Sequence, residues 1–488
     1  MTQSDKTLKH KTISGAMWKF SERVLTQFAA FVVSIILARM LLPEDYGIIV
    51  LVSVFVAICD KIIICGFATS LIQKKNADDL DFSSVLYFSM AMALLLYAIL
   101  YITAPFISSF YSHYDGVLLT KVMRVMGLSF FIIAINSVQH AYVSSRLRFK
   151  NYFWSVSGGT LIGAVVAIYM AYKGFGVWSL VAQNLVMNTA DTVILWFSVK
   201  WRPIPAFSFE RFRSLFSYSW KICSASIIKT VYNDLRSLII GKLYSPADLA
   251  FYNRGQSFPQ MVDTSVSGTI DSVFFPALSK VQDSTTTMKS MLRRAIRVSS
   301  MILMPLVAGL AATAEPLVNL LLTEKWASCV PYMQILSFSF LFSSIEVENL
   351  QAIKAIGRSD LVLKLEIIKK SVGLAILVAT IPFGVKAIAY GVLASQLFSA
   401  IANMVPNKKL LDYSIKSQIV DVSLYLTGAL FMFLLVMIVS GLWTLPPVWD
   451  LLLRLGLGAA MYAILLMMVK DDSLKYVVIT LKEYKRNA

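Results

Sequence analysis

The chain has 488 residues, of which 57% are hydrophobic and 15% charged, and its formal net charge is +17. A mean hydropathy of +0.68 excludes an ordinary soluble globule, in which about a quarter of residues are charged. Alternating polar and apolar runs of about ten residues, the mark of a membrane barrel, are absent, which leaves an all-α polytopic membrane protein.

The N-terminus is polar and basic (Lys6, Lys9, Lys11) and runs into a long apolar segment. No small-residue cleavage site is evident, so a retained first helix is expected. Apolar segments follow at roughly 14–41, 45–72, 82–108, 117–143, 152–172, 177–199, 212–242, 248–278, 287–312, 328–356, 361–382, 386–405, 417–441 and 449–469, about 14 transmembrane helices. Basic residues fall in every second loop: Lys74 and Lys75, then Arg146, Arg148 and Lys150, then Lys200, Arg202, Arg211 and Arg213. Lys280, Lys289, Arg293, Arg294 and Arg297 continue the series, and Lys408, Lys409, Lys416 and the tail complete it. That face is predicted to be cytosolic, with both termini in the cytosol and the chain in the cytoplasmic (inner) membrane. The excess charge therefore needs no nucleic-acid partner. Segment 279–298 is expected to be an amphipathic helix on the inner surface, and the longest outer loop to lie at about 313–327.

One stretch occurs twice. Ile36-Leu37-Ala38-Arg39-Met40-Leu41-Leu42-Pro43-Glu44-Asp45-Tyr46-Gly47 is echoed by Ile239-Ile240-Gly241-Lys242-Leu243-Tyr244-Ser245-Pro246-Ala247-Asp248-Leu249-Ala250. Trp18-Lys19 and Trp220-Lys221 precede the two copies. Weaker echoes join Ala104-Pro105 to Glu315-Pro316 and Phe175-Gly176-Val177 to Phe383-Gly384-Val385. Six predicted helices separate the copies, so both enter the membrane in the same sense, as parallel repeats. Two six-helix lobes are expected, residues 1–205 and 206–412, with 413–488 as an appended helix pair and tail.

Ionisable residues at membrane depth are costly, which makes them candidates for function. Lys19, Arg23, Gln27, Ala30 and Ser34 recur at helical spacing, with Glu22 at the cytosolic end of the stripe. Asp60 and Lys61 lie in the second segment. Lys221, Ser224, Lys229, Asn233 and Arg236 mark the seventh, beside Asp234; Asn253, Gln256, Gln260, Asp263, Ser267 and Asp271 mark the eighth, with Arg254. Two readings stand here. Glu22 with Arg23, Asp60 with Lys61 and Asp234 with Arg236 form ion pairs that tie helices together, or these groups line a hydrated cavity between the halves. Their concentration at equivalent positions of both halves favours the cavity, and its basic character suits a phosphate-bearing ligand. Candidate ligand residues are Arg23, Gln27, Lys61, Lys229, Asn233, Arg236, Arg254 and Gln256. Candidate ion-coupling residues are Glu22, Asp60, Asp234, Asp263 and Asp271. Glu346, Glu348, Glu366, Lys369 and Lys370 are expected to pair or snorkel, Asp191 to be packed or paired, and His140 to be a helix-end polar group. No Gly-rich phosphate loop, catalytic constellation, cofactor motif or metal-ligand spacing is present, and Cys59, Cys65, Cys223 and Cys329 form no CxxC.

Several stretches resemble the bacterial polysaccharide transporter family. They are Phe31-Val32-Val33-Ser34-Ile35-Ile36-Leu37-Ala38-Arg39 with Pro43-Glu44-Asp45-Tyr46-Gly47, Leu71-Ile72-Gln73-Lys74-Lys75, Leu321-Leu322-Thr323-Glu324-Lys325-Trp326, and Gly357-Arg358-Ser359-Asp360 running into Lys364-Leu365-Glu366. These are Wzx-type flippases and teichuronic or colanic acid exporters of the multidrug/oligosaccharidyl-lipid/polysaccharide exporter superfamily. The resemblance implies two lobes in a V around a central cavity. It also implies a flippase for undecaprenyl-pyrophosphate-linked oligosaccharide, with membrane lipids, a polysaccharide polymerase and a chain-length regulator as partners. The rival readings are an ion-coupled multidrug antiporter of the same superfamily and a membrane-embedded polymerase or glycosyltransferase. A basic cavity disfavours the first, and short outer loops disfavour the second.

Overall fold

At membrane depth no water satisfies backbone N–H and C=O groups, so apolar segments must satisfy them internally. A computed structural model describes the backbone of residues 3–74, 77–281, 284–442, 445–469 and 473–474, and their side chains except at 3–17, 19–20, 24, 269–273 and 275–277. Among the described residues all regular structure is helical. The chain divides into two compact units, Met1–Ala250 and Phe251–Ala488.

The first unit contains α1 (Gln3–Met40), α2 (Pro43–Ile64), α3 (Phe67–Gln73), α4 (Asp79–Phe110), α5 (Gly116–Met126), α6 (Ser129–Ser145), α7 (Phe149–Tyr172), α8 (Val177–Ser198) and α9 (Phe209–Leu243). α10 (Pro246–Lys280) begins at its end. α7 packs along α1 and α8, and α2 packs against α9. Phe67, Phe82, Val85, Trp201 and Phe212 fill the core between α3, α4, α6 and the start of α9. Asp78 caps α4 by accepting from the Asp81 backbone N–H at 3.1 Å, and Asp81 returns the bond to the Asp78 N–H at 3.2 Å. The buried Asp81 carboxylate also takes Lys74 at 2.7 Å, and Arg211 of α9 reaches Asp78, so this loop is stapled to α9. Arg211 holds the Asp78 carboxyl below the usual carboxylate range, chiefly through its hydrogen bond.

The second unit contains α11 (Thr285–Ala312), α12 (Ala314–Leu321), α13 (Val330–Phe340), α14 (Ser343–Ala355), α15 (Ser359–Thr380), α16 (Val385–Leu411), α17 (Ile415–Ser440) and α18 (Pro447–Val469). α11 is its axis, packed along α17, α13 and α14. Met304, Val307, Met432, Val436 and Tyr462 close the contact of α11 with the last two helices. Asp421 of α17, its side chain fully buried, accepts from Arg293 at 2.6 Å, Arg297 at 2.5 Å and the Tyr413 hydroxyl at 2.8 Å.

Three expected single spans are each two helices. Residues 45–72 break at Cys65 (φ 43°) and Gly66 (φ 69°), both left-handed. Residues 117–143 break at Gly127-Leu128, and 328–356 at Leu341-Phe342. Hydropathy reports depth and is blind to such interruptions. The expected surface helix at 279–298 is corrected: Lys289, Arg293, Arg294 and Arg297 belong to α11, which runs unbroken into the next span. The expected outer loop at 313–327 is α12 followed by a 3-10 turn, Glu324–Cys329.

Ten segments among the described residues are long and apolar enough to cross a membrane. α9 and α10 are not among them, although each has 35 residues and spans about 52 Å at 1.5 Å per residue. Their polar stripes lower their hydropathy.

Candidate functional site

In the first unit the candidate residues lie on α1, α2 and α9. α1 is held along α7, with the Trp18 and Phe153 rings 5.1 Å apart. On α1, Thr26 Oγ1 donates to the Glu22 carbonyl at 2.7 Å, Arg23 is exposed, and Glu22 and Gln27 are half-buried. On α2, Asp60 and Lys61 occupy the last full turn before the break. Lys61 is exposed and Asp60 half-buried, with one Asp60 carboxylate oxygen buried and without a hydrogen-bond partner among the described residues.

The break itself brings α9 close. A Cβ on Gly66 would stand 3.1 Å from Ile222 and 3.2 Å from the Ser219 carbonyl, so a residue with no side chain and a left-handed φ is needed there. Ser70 and Ser219 hydroxyls meet at 2.8 Å, and Cys223 Sγ donates to the Lys61 carbonyl at 3.6 Å. From that anchor α9 continues through Lys229 and Asn233, both exposed, to Asp234 and Arg236, both half-buried. Lys61 and the α9 cations therefore sit on contacting helices, whereas α1 presents its stripe from a helix packed on α7.

Lys61 acts electrostatically on its neighbour Asp60, but the three neighbour pairs do not close to salt-bridge distance. Among the described residues Arg23, Lys61, Lys229 and Arg236 make no ion pair with any carboxylate, their sequence neighbours included. Some cations of the second unit are matched. Lys369 lies 3.0 Å from Glu346 and 2.7 Å from Glu366, and Arg454 lies 2.8 Å from Asp450.

In the second unit Arg254 is half-buried with its guanidinium 5.2 Å from the ring centroid of the fully buried Trp326, a cation–π arrangement. Gln256 is half-buried, and Asp263 accepts from Ser267 at 3.0 Å. The side chain of Asp271 lies outside the described residues.

Two features escaped the sequence reading. His140 is not a helix-end group: its Nε2 lies 2.8 Å from Asp191, which also accepts from Asn136 at 2.9 Å. The isolated acid at 191 was the available signal, but its partner is 51 residues away. The second is an apolar cavity of about 570 Å³ in the second unit, lined by Pro305, Leu306 and Gly309 of α11, Leu317 of α12, Met432 of α17 and Gly458 of α18. Among the described residues Arg454 is its one charged wall residue; it donates to the Ala312 carbonyl at 2.9 Å and pairs with Asp450.

This chain is similar to known transport proteins. The succinoglycan biosynthesis transport protein ExoT of Rhizobium meliloti is 25% identical over 335 residues, covering 68% of this chain and 67% of that protein. The lipopolysaccharide biosynthesis protein WzxC of Escherichia coli is 22% identical over 365 residues, 74% of each chain. Among solved structures, the lipid II flippase MurJ in an inward closed conformation superposes with a TM-score of 0.74 over 94% of this chain and 98% of that one, at 13% identity; at that identity the likeness is one of fold. The family model described as polysaccharide biosynthesis protein matches residues 36–331, more than half of the sequence, and the chain belongs to that family.

Proposed function

We propose that this protein is a transporter and not an enzyme, and that it moves an undecaprenyl-pyrophosphate-linked oligosaccharide from the cytosolic to the outer leaflet by alternating access. The observation that carries this reading is the set of cations without an ion pair among the described residues, Arg23, Lys61, Lys229 and Arg236, on helices of membrane-spanning length. A cation at such depth needs water or an anion. A pyrophosphate supplies the anion, and guanidinium forks match its oxygens. Gln27 and Asn233 supply further hydrogen bonds to the headgroup and first sugar, and Arg254 and Gln256 of the second unit are candidate ligand residues in their own right. The apolar cavity beside α17 and α18 has the chemistry to hold a stretch of polyprenyl chain.

In this reading α8, α9, α10 and α15 also cross the membrane, which brings the ten apolar spans to about fourteen, with both termini on the basic, cytosolic face. The lobes 1–205 and 206–412 are the moving halves, and 413–488 is the appended pair. Glu22, Asp60, Asp234, Asp263 and Asp271 remain candidates for coupling to an ion gradient. A polysaccharide polymerase and a chain-length regulator would take the product onward.

The test is surface glycan display in a strain lacking this gene. Complementation with the combined Arg23→Ala and Arg236→Ala chain should restore under about a tenth of wild-type glycan, since each charge-assisted contact is worth about 1.5–3 kcal/mol. Full export by that variant, present in the membrane at normal level, would rule out the cationic site.

A further inference from the structure

Inside the first unit a polar cluster sits apart from the α2 and α9 cations. Asp191 of α8 accepts from Asn136 Nδ2 at 2.9 Å and lies 2.8 Å from His140 Nε2, both on α6. Asn136 also reaches Thr192 Oγ1 at 3.2 Å. The His140 and Asp191 side chains are 18% and 12% exposed. From α7 the Tyr152 ring packs edge-on against the imidazole, centroids 4.5 Å apart. Glu22 of α1 acts electrostatically on that tyrosine, as does Asp191. Elsewhere on α6, Val138 and Ala141 belong to the core with Phe67, Phe82 and Val85 of α3 and α4, Gln139 is buried, and α2, which carries the half-buried Asp60, packs on α6 and α8.

We propose that the His140–Asp191 pair is a proton-binding site whose occupancy tightens the packing of α6 on α8, and that it is one titrating element of the transport cycle. The second clause rests on the transport reading above; the first does not.

The argument starts from hydrogen-bond inventory. An ionised carboxylate only accepts, so Nε2 must carry its hydrogen whenever it bonds Asp191. The exchangeable proton then belongs on Nδ1. That atom is buried and has no hydrogen-bond partner among the described residues. A proton bound there is held by the nearby negative charge and not by an acceptor. With Nδ1 bare, the pair buries one net negative charge; with Nδ1 protonated, it buries none. Burying an uncompensated charge is the costlier state, so proton uptake favours the closed packing of α6 on α8. When the helices part and water reaches the pair, that preference fades. The N–H bond at Nδ1 then breaks, its electron pair stays on the ring, and the proton passes to water.

The experiment is hydrogen–deuterium exchange on the full chain in lipid nanodiscs at pH 6 and pH 8, with the proton as the only probe and each rate divided by the intrinsic amide rate. Amides of residues 188–195 should exchange about tenfold more slowly at pH 6 than at pH 8. His140→Gln retains an N–H for Asp191 but has no titrating nitrogen, so it should show equal normalised rates at both pH values. Asp191→Asn should do the same; if it fails to fold, His140→Gln decides alone. Equal rates in the unmodified chain, or an unchanged tenfold ratio in His140→Gln, would overturn the site. Glycan export scored in parallel separates the two claims. A chain that exports without pH-dependent exchange loses the proton site and keeps the transport reading, and the reverse result does the opposite.

Discussion

Gly47→Ala is expected to abolish accumulation of the folded chain or to cost it about 3 kcal/mol or more, the upper end of what overpacking does. A Cβ at this position would stand 1.9 Å from the Pro246 carbonyl oxygen, 2.5 Å from its carbon and 2.9 Å from its Cα. All three are backbone atoms, so no rotamer change relieves the clash. The contact explains the sequence echo. Each copy places a proline at the start of a helix, Pro43 for α2 and Pro246 for α10, where its missing N–H is not needed. Each sets an aspartate to receive the preceding backbone N–H, Leu42 to Asp45 and Ser245 to Asp248, both at 3.2 Å. The two helix starts then stand backbone to backbone, and only a glycine admits that. Thermal midpoint and yield from size-exclusion chromatography check the prediction, with Gly456→Ala, which meets nothing within 4 Å, as the control. A Gly47→Ala chain melting with the control would show that the contact is looser than described.

Lys369→Met is expected to destabilise the second unit by about 3–5 kcal/mol, the cost of leaving a buried ion-pair network without one partner. Lys369, 7% exposed, stands between Glu346 of α14 and Glu366 of its own helix α15. Gln396 of α16 donates to the second Glu346 oxygen at 2.5 Å, and Asn403 donates to the Glu346 carbonyl at 3.0 Å. Losing the ammonium leaves Glu346 with the Gln396 amide and Glu366, among the described residues, with only Lys370, 4.0 Å away. Adding Glu346→Gln to Lys369→Met should recover more than half of the loss, because the pair is coupled and its effects do not add. Thermal unfolding of the two single variants and the double variant measures this directly. Additive losses would show that the network is not coupled.

The sequence made the helical plan legible because membrane helices must be long and apolar, and residues such as Leu94, Leu95 and Phe106 say so individually. It also exposed the polar stripes of α9 and α10, since Lys229, Asn233 and Arg236 stand out against an apolar background. Continuity was not legible. Cys65 and Gly66 read as two more small residues in an apolar run, yet they end α2 and turn the chain toward Ser219. Partnership was equally hidden. Nothing local says that His140 meets Asp191, that Lys369 meets Glu346, or that Arg293 and Arg297 of α11 converge on Asp421 of α17. Helical periodicity gives the face a residue occupies but not the helix that face meets. The apolar cavity was invisible for a related reason: it is the space left between α11, α12, α17 and α18, and Gly309 and Gly458 help create it by lacking bulk.

The most direct measurement is binding of undecaprenyl pyrophosphate, against undecaprenol as the uncharged control, to the purified full-length protein in nanodiscs. The pyrophosphate lipid should bind at least about a hundredfold more tightly than the alcohol, since two charge-assisted contacts are worth about 3 kcal/mol or more. Arg23→Ala with Arg236→Ala should erase most of that margin and leave undecaprenol binding unchanged. Equal affinity for the two lipids in the unmodified protein, or a margin untouched by the double substitution, would contradict the account.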